Sequence, residues 1–328
     1  TYGPRVPMIL VEPSATNLLL YSEDFSHAGW TKVYDVVVTP SSVDAPDGTT
    51  NAFKLSELNL SDGDYGLSEF LNTSPSTSYT FSTYFKAASD GDVGKKVRIR
   101  IRRNAGTSIS ASNSVTLTSE WVRHSVTIDL LSDNTSCWFV IAKDTASSTA
   151  EQADECLIWG AQVETGSVMT SYIPTSGGDA AARTRAADGL SLSTNVTSSF
   201  FSSTDGGTFY AEFVPRDLLS EQWYLLAGQD YNRRFMYSNS SNPGLYAHDG
   251  ISAKGYGNMV VNQLNRAAFT YTSTTHEGSI NGSTTTSSVS NGNYLTTSRL
   301  YLASPSNDKQ MNGHLKRLIY WPTESGRL

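Results

Sequence analysis

The sequence predicts an all-β protein built as two successive strand-rich domains. Short runs rich in Thr, Val, Tyr and Phe recur along the whole chain, the composition that half-buried strands favour. Clusters of Gly, Ser, Asn and Asp separate them, as tight turns require. Apolar residues do not repeat at helical spacing over any long stretch. A length of 328 residues suffices for two hydrophobic cores, since one domain usually takes about 100–200 residues.

In the first domain the strand-like runs are Asn17–Ser22, Val33–Pro40, Ala52–Leu58, Tyr79–Ala88, Val97–Arg103, Ser114–Thr118, Val122–Leu130, Cys137–Lys143 and Cys156–Val163. DAPDGTT (Asp44–Thr50), SDGDYG (Ser61–Gly66) and SDGDVG (Ser89–Gly94) supply turns between them. Glycine accepts positive φ there and aspartate caps its own backbone. Many short strands with regular turns mean a sandwich or a barrel. Alternation is cleanest at 97–103, where Val97, Ile99 and Ile101 share the face that must point to the core. Arg98, Arg100 and Arg102 share the other face, which is either solvated and carboxylate-paired or turned toward something anionic. Trp30 and Trp121 stand near strand ends, where an indole caps a core or stacks on a ligand.

Leu157–Thr175 reads as a last strand running into an extended exit, and SGGDAAARTRAADG after it has the small, polar character of a linker. A second block begins with GTFYAEFVP at Gly207–Pro215 and continues through WYLLAG, RFMYSN, GLYAH, MVVNQL, RAAFTYTS, RLYLAS and HLKRLIYWP. Asn281-Gly282 is a strong hairpin signal. The expected organisation is a lead-in over 1–16, a first domain over 17–175, a linker over 176–190 and a second domain over 191–328. Because the chain starts at Thr1 without methionine, TYGPRVPMILVEP reads as a passage from inside a longer polypeptide.

The formal net charge of −7 argues against a sequence-independent grip on nucleic acid or on an acidic membrane surface. A local basic patch on an anionic glycan stays compatible with it. No stretch approaches the roughly 20 apolar residues that span a bilayer. The two cysteines, Cys137 and Cys156, lie in strand-like runs. They read as small buried hydrophobes, with a bridge left open because register is not legible.

Three phrases in the first domain carry a family resemblance: TNLLLYSEDFSHAGW (Thr16–Trp30), YTFSTYFKA (Tyr79–Ala87) and WGAQVETGSVMTSYIPT (Trp159–Thr175), followed by RAAD (Arg185–Asp188). They resemble carbohydrate-binding-module-like jelly rolls of bacteriophage virion proteins. In the second block GTFYAEF (Gly207–Phe213), RAAFTY (Arg266–Tyr271) and NGHLKRLIYWPT (Asn312–Thr323) are similar to concanavalin A-like, laminin G-like sandwiches of phage tail and spike proteins. The resemblance implies two tandem antiparallel β-sandwiches, a jelly roll followed by a concanavalin A-like domain. It implies a non-enzymatic part of a tail fibre or head spike on the virion surface. The implied work is recognition of host cell-surface or capsular polysaccharide, or alternatively the purely structural joining of fibre or spike parts. Other virion proteins are implied partners, in a homo-oligomer that family analogy makes a trimer. No cofactor is implied except a structural calcium. Glu23 and Asp24 match the first acidic element of that site, while Trp159 and Gly160 stand where the last-strand aspartate is expected.

Enzymatic readings find little support. A retaining glycosidase needs two carboxylates about 5–5.5 Å apart, yet Glu164 and Glu212 each stand alone in sequence. YFKAA (Tyr84–Ala88) echoes an alginate-lyase strand, without the Gln-Ile-His segment that such chemistry wants. The five histidines lack metal-like spacing, and His314 reads as a structural group at a sheet edge. A polysaccharide depolymerase is therefore the most distant reading. Sugar recognition needs flat aromatic faces beside planar polar groups. The richest mixture is Gln229–Gly257, where Tyr231, Arg233, Arg234, Tyr246, His248, Asp249 and Tyr256 are the candidate glycan-binding residues.

Overall fold

The first strand of the chain, β1 (Ile9–Val11), pairs with the last strand, far away in sequence, and not with its immediate successor. The protein is seen here in a computed structural model, which describes residues 8–33, 35–58, 66–103, 110–175, 181–192, 206–217, 224–228, 234–239, 242–248, 253–272, 275–283, 286–289, 300–302 and 310–322. It divides into two units: residues 15–185, and residues 1–14 together with 186–328. The expected lead-in is thus split, because Val11 is an apolar strand residue that buries itself in the second sandwich.

The unit 15–185 holds β2 (Ala15–Asn17), β3 (Thr31–Lys32), β4 (Val37–Pro40), β5 (Phe53–Ser56), β6 (Gly66–Asn72), β7 (Ser78–Lys86), β8 (Lys96–Arg103), β9 (Ser110–Thr116), β10 (Val122–Asp129), β11 (Ser136–Lys143), β12 (Cys156–Thr165) and β13 (Arg183–Arg185). Two five-stranded antiparallel sheets form, in the orders β10-β7-β12-β5-β4 and β3-β6-β11-β8-β9. Their inner faces supply one core, with Phe81, Phe85, Ile158 and Val163 from the first meeting Ile99, Ile101, Phe139 and Ile141 from the second. Trp30 belongs to that core, and its indole Nε1 donates to the Tyr21 carbonyl at 2.9 Å. Cys137 and Cys156 are buried free thiols on different sheets. β2 pairs with β13 inside the span read as linker, so the two ends of this unit lie side by side.

One side chain joins three parts of this sandwich. Asn17 is fully buried and its amide makes four hydrogen bonds. Nδ2 donates to the carbonyls of Ala161 and Ile173, at 3.1 and 2.9 Å, and Oδ1 accepts from the Leu19 and Val163 amides at 3.2 and 3.1 Å. It ties the opening phrase to β12 and to the exit segment. That segment is held further by Gln162 Oε1, which accepts from Ile173 N, and by a buried Glu164 that accepts from Thr170 N and Oγ1.

The second unit holds β1 with β14 (Ser191–Leu192), β15 (Gly207–Pro215), β16 (Tyr224–Gly228), β17 (Arg234–Asn239), β18 (Asn242–His248), β19 (Ala253–Asn258), β20 (Asn265–Tyr271), β21 (Thr275–Ile280), β22 (Thr286–Val289), β23 (Leu300–Tyr301) and β24 (Gly313–Pro322). Its sheets run β1-β24-β15-β20-β21-β22 and β14-β23-β16-β17-β18-β19. Phe209, Phe213 and Phe269 on the first pack against Leu226, Met236 and Leu245 on the second. Both sheets being antiparallel, the two-sandwich architecture expected from sequence is the one formed. Asn281 and Gly282 turn the β21–β22 connection at φ of +51° and +78°, the sign a two-residue hairpin reversal demands. His314 corrects its sequence reading: β24 is flanked by β15 and β1, so it is not an edge strand.

Two stability outcomes are expected. Asn17→Ala leaves four buried backbone groups without their amide partner, each worth about 1–3 kcal/mol. The urea midpoint of the first sandwich, followed by tryptophan fluorescence, should fall by an equivalent of more than about 3 kcal/mol. Glu69 lies on the core face of β6 opposite Phe139, and its Oε2 has no hydrogen-bond partner. Burial pushes its carboxyl up from 4.5 to about 7. A raised carboxyl is unpenalised below pH 4.5, and stability is lost as pH rises toward 7, by at most about 3 kcal/mol. Urea titrations at pH 5 and pH 8 should show that loss in the native chain and not in Glu69→Gln.

Candidate functional site

The described part of the expected glycan region lies on β17, β18 and β19 of the second sandwich. Alternation along β18 sends Leu245 and Ala247 into the core and leaves Tyr246 and His248 half-buried on the outer face. Register then builds a row across three strands, in which Tyr237 opposes Tyr246 and Tyr246 opposes Gly255. The two tyrosine rings lie 5.9 Å apart at 43°. Tyr237 is the buried end of this row, Tyr246 its half-buried middle and Gly255 its exposed end.

Glycine makes the arrangement feasible. A Cβ at Gly255 would stand 3.0 Å from the Tyr246 Cε1, and one at Gly244 would stand 3.1 Å from Cε2. The ring lies flat because both neighbouring positions lack a side chain. Beside it is a depression of about 240 Å³ lined by Gly244, Tyr246, Gly255, Gly257 and Asn258. Small-molecule pockets usually reach ~300–1,000 Å³, so this one suits a single ring of a longer chain. A phenol face, an exposed Asn258 amide and open backbone are the groups a hydroxylated ring would meet.

The other sequence candidates separate. Tyr256 is corrected: it points inward from β19, 3% exposed, stacks edgewise on Phe269 and hydrogen-bonds His276 Nδ1 through its hydroxyl. The same strand alternation that turns Gly255 outward turns Tyr256 into the core. Arg234 is the register partner of His248, with nothing described of its side chain. Tyr231, Arg233 and Asp249 lie outside the described residues. Gly244, Gly255, Gly257 and Asn258 were missed from sequence. The signal available for them was the spacing of glycines either side of Tyr256, which reads equally well as a weak strand.

The calcium candidates have other work. Glu23 accepts from Asn51 Nδ2 at 3.0 Å and from the Tyr172 hydroxyl at 3.1 Å. Asp24 Oδ1 accepts from Ser26 N and Oγ, closing a local turn. Trp159, in the place of the expected aspartate, points an N–H at Asn51 Oδ1, 2.8 Å away. Calcium needs six to eight oxygens, and these oxygens face hydrogen-bond donors instead. Among the described residues no cluster of three or more His, Cys, Asp or Glu is placed to hold a metal. The residues do not fit the ion. Burial raises the Glu23 carboxyl within a cluster of Trp159, Tyr172, Tyr84 and Trp121, where the Arg123 guanidinium lies 5.7–5.8 Å from two tyrosine rings.

No family model matches the sequence, and no curated protein matches it. Among solved structures, the tandem CBM22-1–CBM22-2 domains of Xyn10C from Paenibacillus barcinonensis are similar over 95% of this chain and 99% of theirs, at 12% identity and a TM-score of 0.36. Domains LG4-5 of mouse laminin α1 are similar over 97% and 90%, at 9% identity and a TM-score of 0.32. The CBM22-1 xylan-binding domain of the same Xyn10C covers 46% of this chain and 92% of its own, at 15% identity and a TM-score of 0.35. At these scores the neighbours share an all-β architecture with the chain and nothing finer.

Addition of 5 mM calcium or of EDTA should leave the melting temperature of the native protein unchanged in differential scanning calorimetry, because the ligand shell is absent from the Glu23 cluster.

Proposed function

We propose that the protein is a non-enzymatic glycan-binding protein. Its motivating observation is the Tyr246 ring spread over Gly244 and Gly255 beside a depression of about 240 Å³. A pyranose CH face stacks on such a phenol while Asn258 bonds a ring hydroxyl. The carboxylates weighed for glycosidase chemistry have structural partners, which supports the non-enzymatic reading. Glu212 meets Lys316 at 2.9 Å and the Tyr210 hydroxyl at 3.0 Å, and Glu164 is enclosed by Gln162 and Thr170.

The particular setting we propose is a virion attachment protein, in a fibre or spike, whose ligand is host cell-surface polysaccharide. The phage-like phrases of both domains support this setting, and a trimeric assembly accompanies it by the same analogy. Tyr246→Ala should lower affinity for the host polysaccharide by about tenfold or more while leaving the melting temperature within a few degrees. Gly255→Val should do the same by lifting the ring. Affinity electrophoresis on purified capsule measures both, and equal retention of native and variant chains removes this site from the reading.

A further inference from the structure

We propose that the outer face of β24, β15 and β20 in the second sandwich carries a separate subsite for the carboxylate of an acidic polysaccharide, formed by Arg266 and Arg317 on either side of Glu212. The three make one rung, in which Glu212 lies opposite Arg317 on β24 and opposite Arg266 on β20. A shift of register at Glu212 and Phe213 sets Lys316 beside Arg317 as an extra residue on β24. Leu315 and Leu318 pack into the core on either side of this bulge, so both of its cations face outward with Glu212.

Charge decides the ligand class. Lys316 Nζ meets Glu212 at 2.9 Å and the Tyr210 hydroxyl donates to it at 3.0 Å. Arg266 stands off at 3.7 Å from the same carboxylate, with 58% of its side chain exposed. Arg317 is exposed and has no carboxylate partner among the described residues. The Lys316 contact holds the Glu212 carboxyl below its usual range, so it stays ionised and offsets one charge of three. The next acidic residue in register, Glu277, pairs with Thr270, four residues along β20 from Arg266. That is about 13 Å of strand, beyond the reach of a surface charge at 0.1 M salt. At the other end of the face Glu12 is buried and paired with Arg216 at 3.4 Å. Positive charge is thus in excess on this rung, in a chain of net charge −7.

A single rung suits a single anionic group, whereas a nucleic-acid backbone needs cations repeated along its length. The neighbouring rung is apolar, with half-buried Tyr210 between Ile319 and Ala268. An occupant must then offer an anion to two guanidiniums and a ring face to the phenol about 7 Å along the strand. A uronic acid within a glycan does both: its carboxylate takes planar, paired hydrogen bonds from Arg317 and Arg266 while its CH face covers Tyr210. A neutral sugar offers the guanidiniums no anion. This surface is on the other sheet from Tyr246 and does not rest on that site.

The test uses the full chain on immobilised polygalacturonate, with its methyl ester as the uncharged control and single-stranded DNA as a competing polyanion. Native protein should be retained on polygalacturonate at low salt, less as salt rises, and should pass the methyl ester freely. Arg317→Gln and Arg266→Gln should each lower affinity by about tenfold. Arg317→Lys should recover only part of it, because an ammonium lacks the paired fork. Lys86→Gln, which removes one cation from the first sandwich, should leave retention unchanged. Both arginines are exposed, so each variant should keep its melting temperature within a few degrees. Absence of retention, equal retention on the methyl ester, retention unaltered by Arg317→Gln, or preference for the DNA would each overturn the proposal. So would retention that is lost in Tyr246→Ala and kept in Arg317→Gln, which would assign the acidic glycan to the other sheet.

Discussion

The buried amide of Asn17 is the constraint on which the first sandwich depends. A buried amide with both donors and both acceptor sites used is stable only if its partners hold fixed positions. Here those partners come from the opening phrase, from β12 and from the exit segment near Ile173. Ser22 and Thr175 repeat the tie further along, each donating through its backbone amide to the other's hydroxyl. Two phrases separated by more than a hundred residues are thereby the two halves of one junction, which gives a physical reason for their joint occurrence.

That junction also decides what the first domain can display. The exit segment lies along the outer face of the β10-β7-β12 sheet, with Arg123 donating to the Thr170 carbonyl at 2.6 Å and Thr80 donating to the Gly166 carbonyl. The aromatic cluster of Trp159, Tyr84 and Tyr172 is committed to packing there. On the opposite sheet Phe70 is exposed and Trp138 and Arg102, on the same rung, are half-buried.

In the second sandwich, glycines do the equivalent work. Gly255 and Gly244 let Tyr246 lie flat on the outside, while Gly278 accommodates the Tyr256 ring on the inside, where a Cβ would come within 2.4 Å of it. Tyr246 and Tyr256, each packed against glycine in space, therefore have opposite fates. Strand alternation turns Tyr246 outward from β18 and Tyr256 inward from β19, and the pairing of the two strands shifts register between Leu245 and Tyr246.

The sequence by itself determined the all-β class, most strand positions, the inward set Val97, Ile99 and Ile101 and the hairpin at Asn281-Gly282. All of these depend on period-two alternation and turn chemistry, which act between near neighbours. Only the tertiary structure decided that β1 joins the second sandwich, that Tyr256 is core, and that Glu23 accepts hydrogen bonds from Asn51 and Tyr172. Those outcomes depend on which distant strand pairs with which, in what register. One chain fixes that through the mutual burial of many residues, and no short segment encodes it.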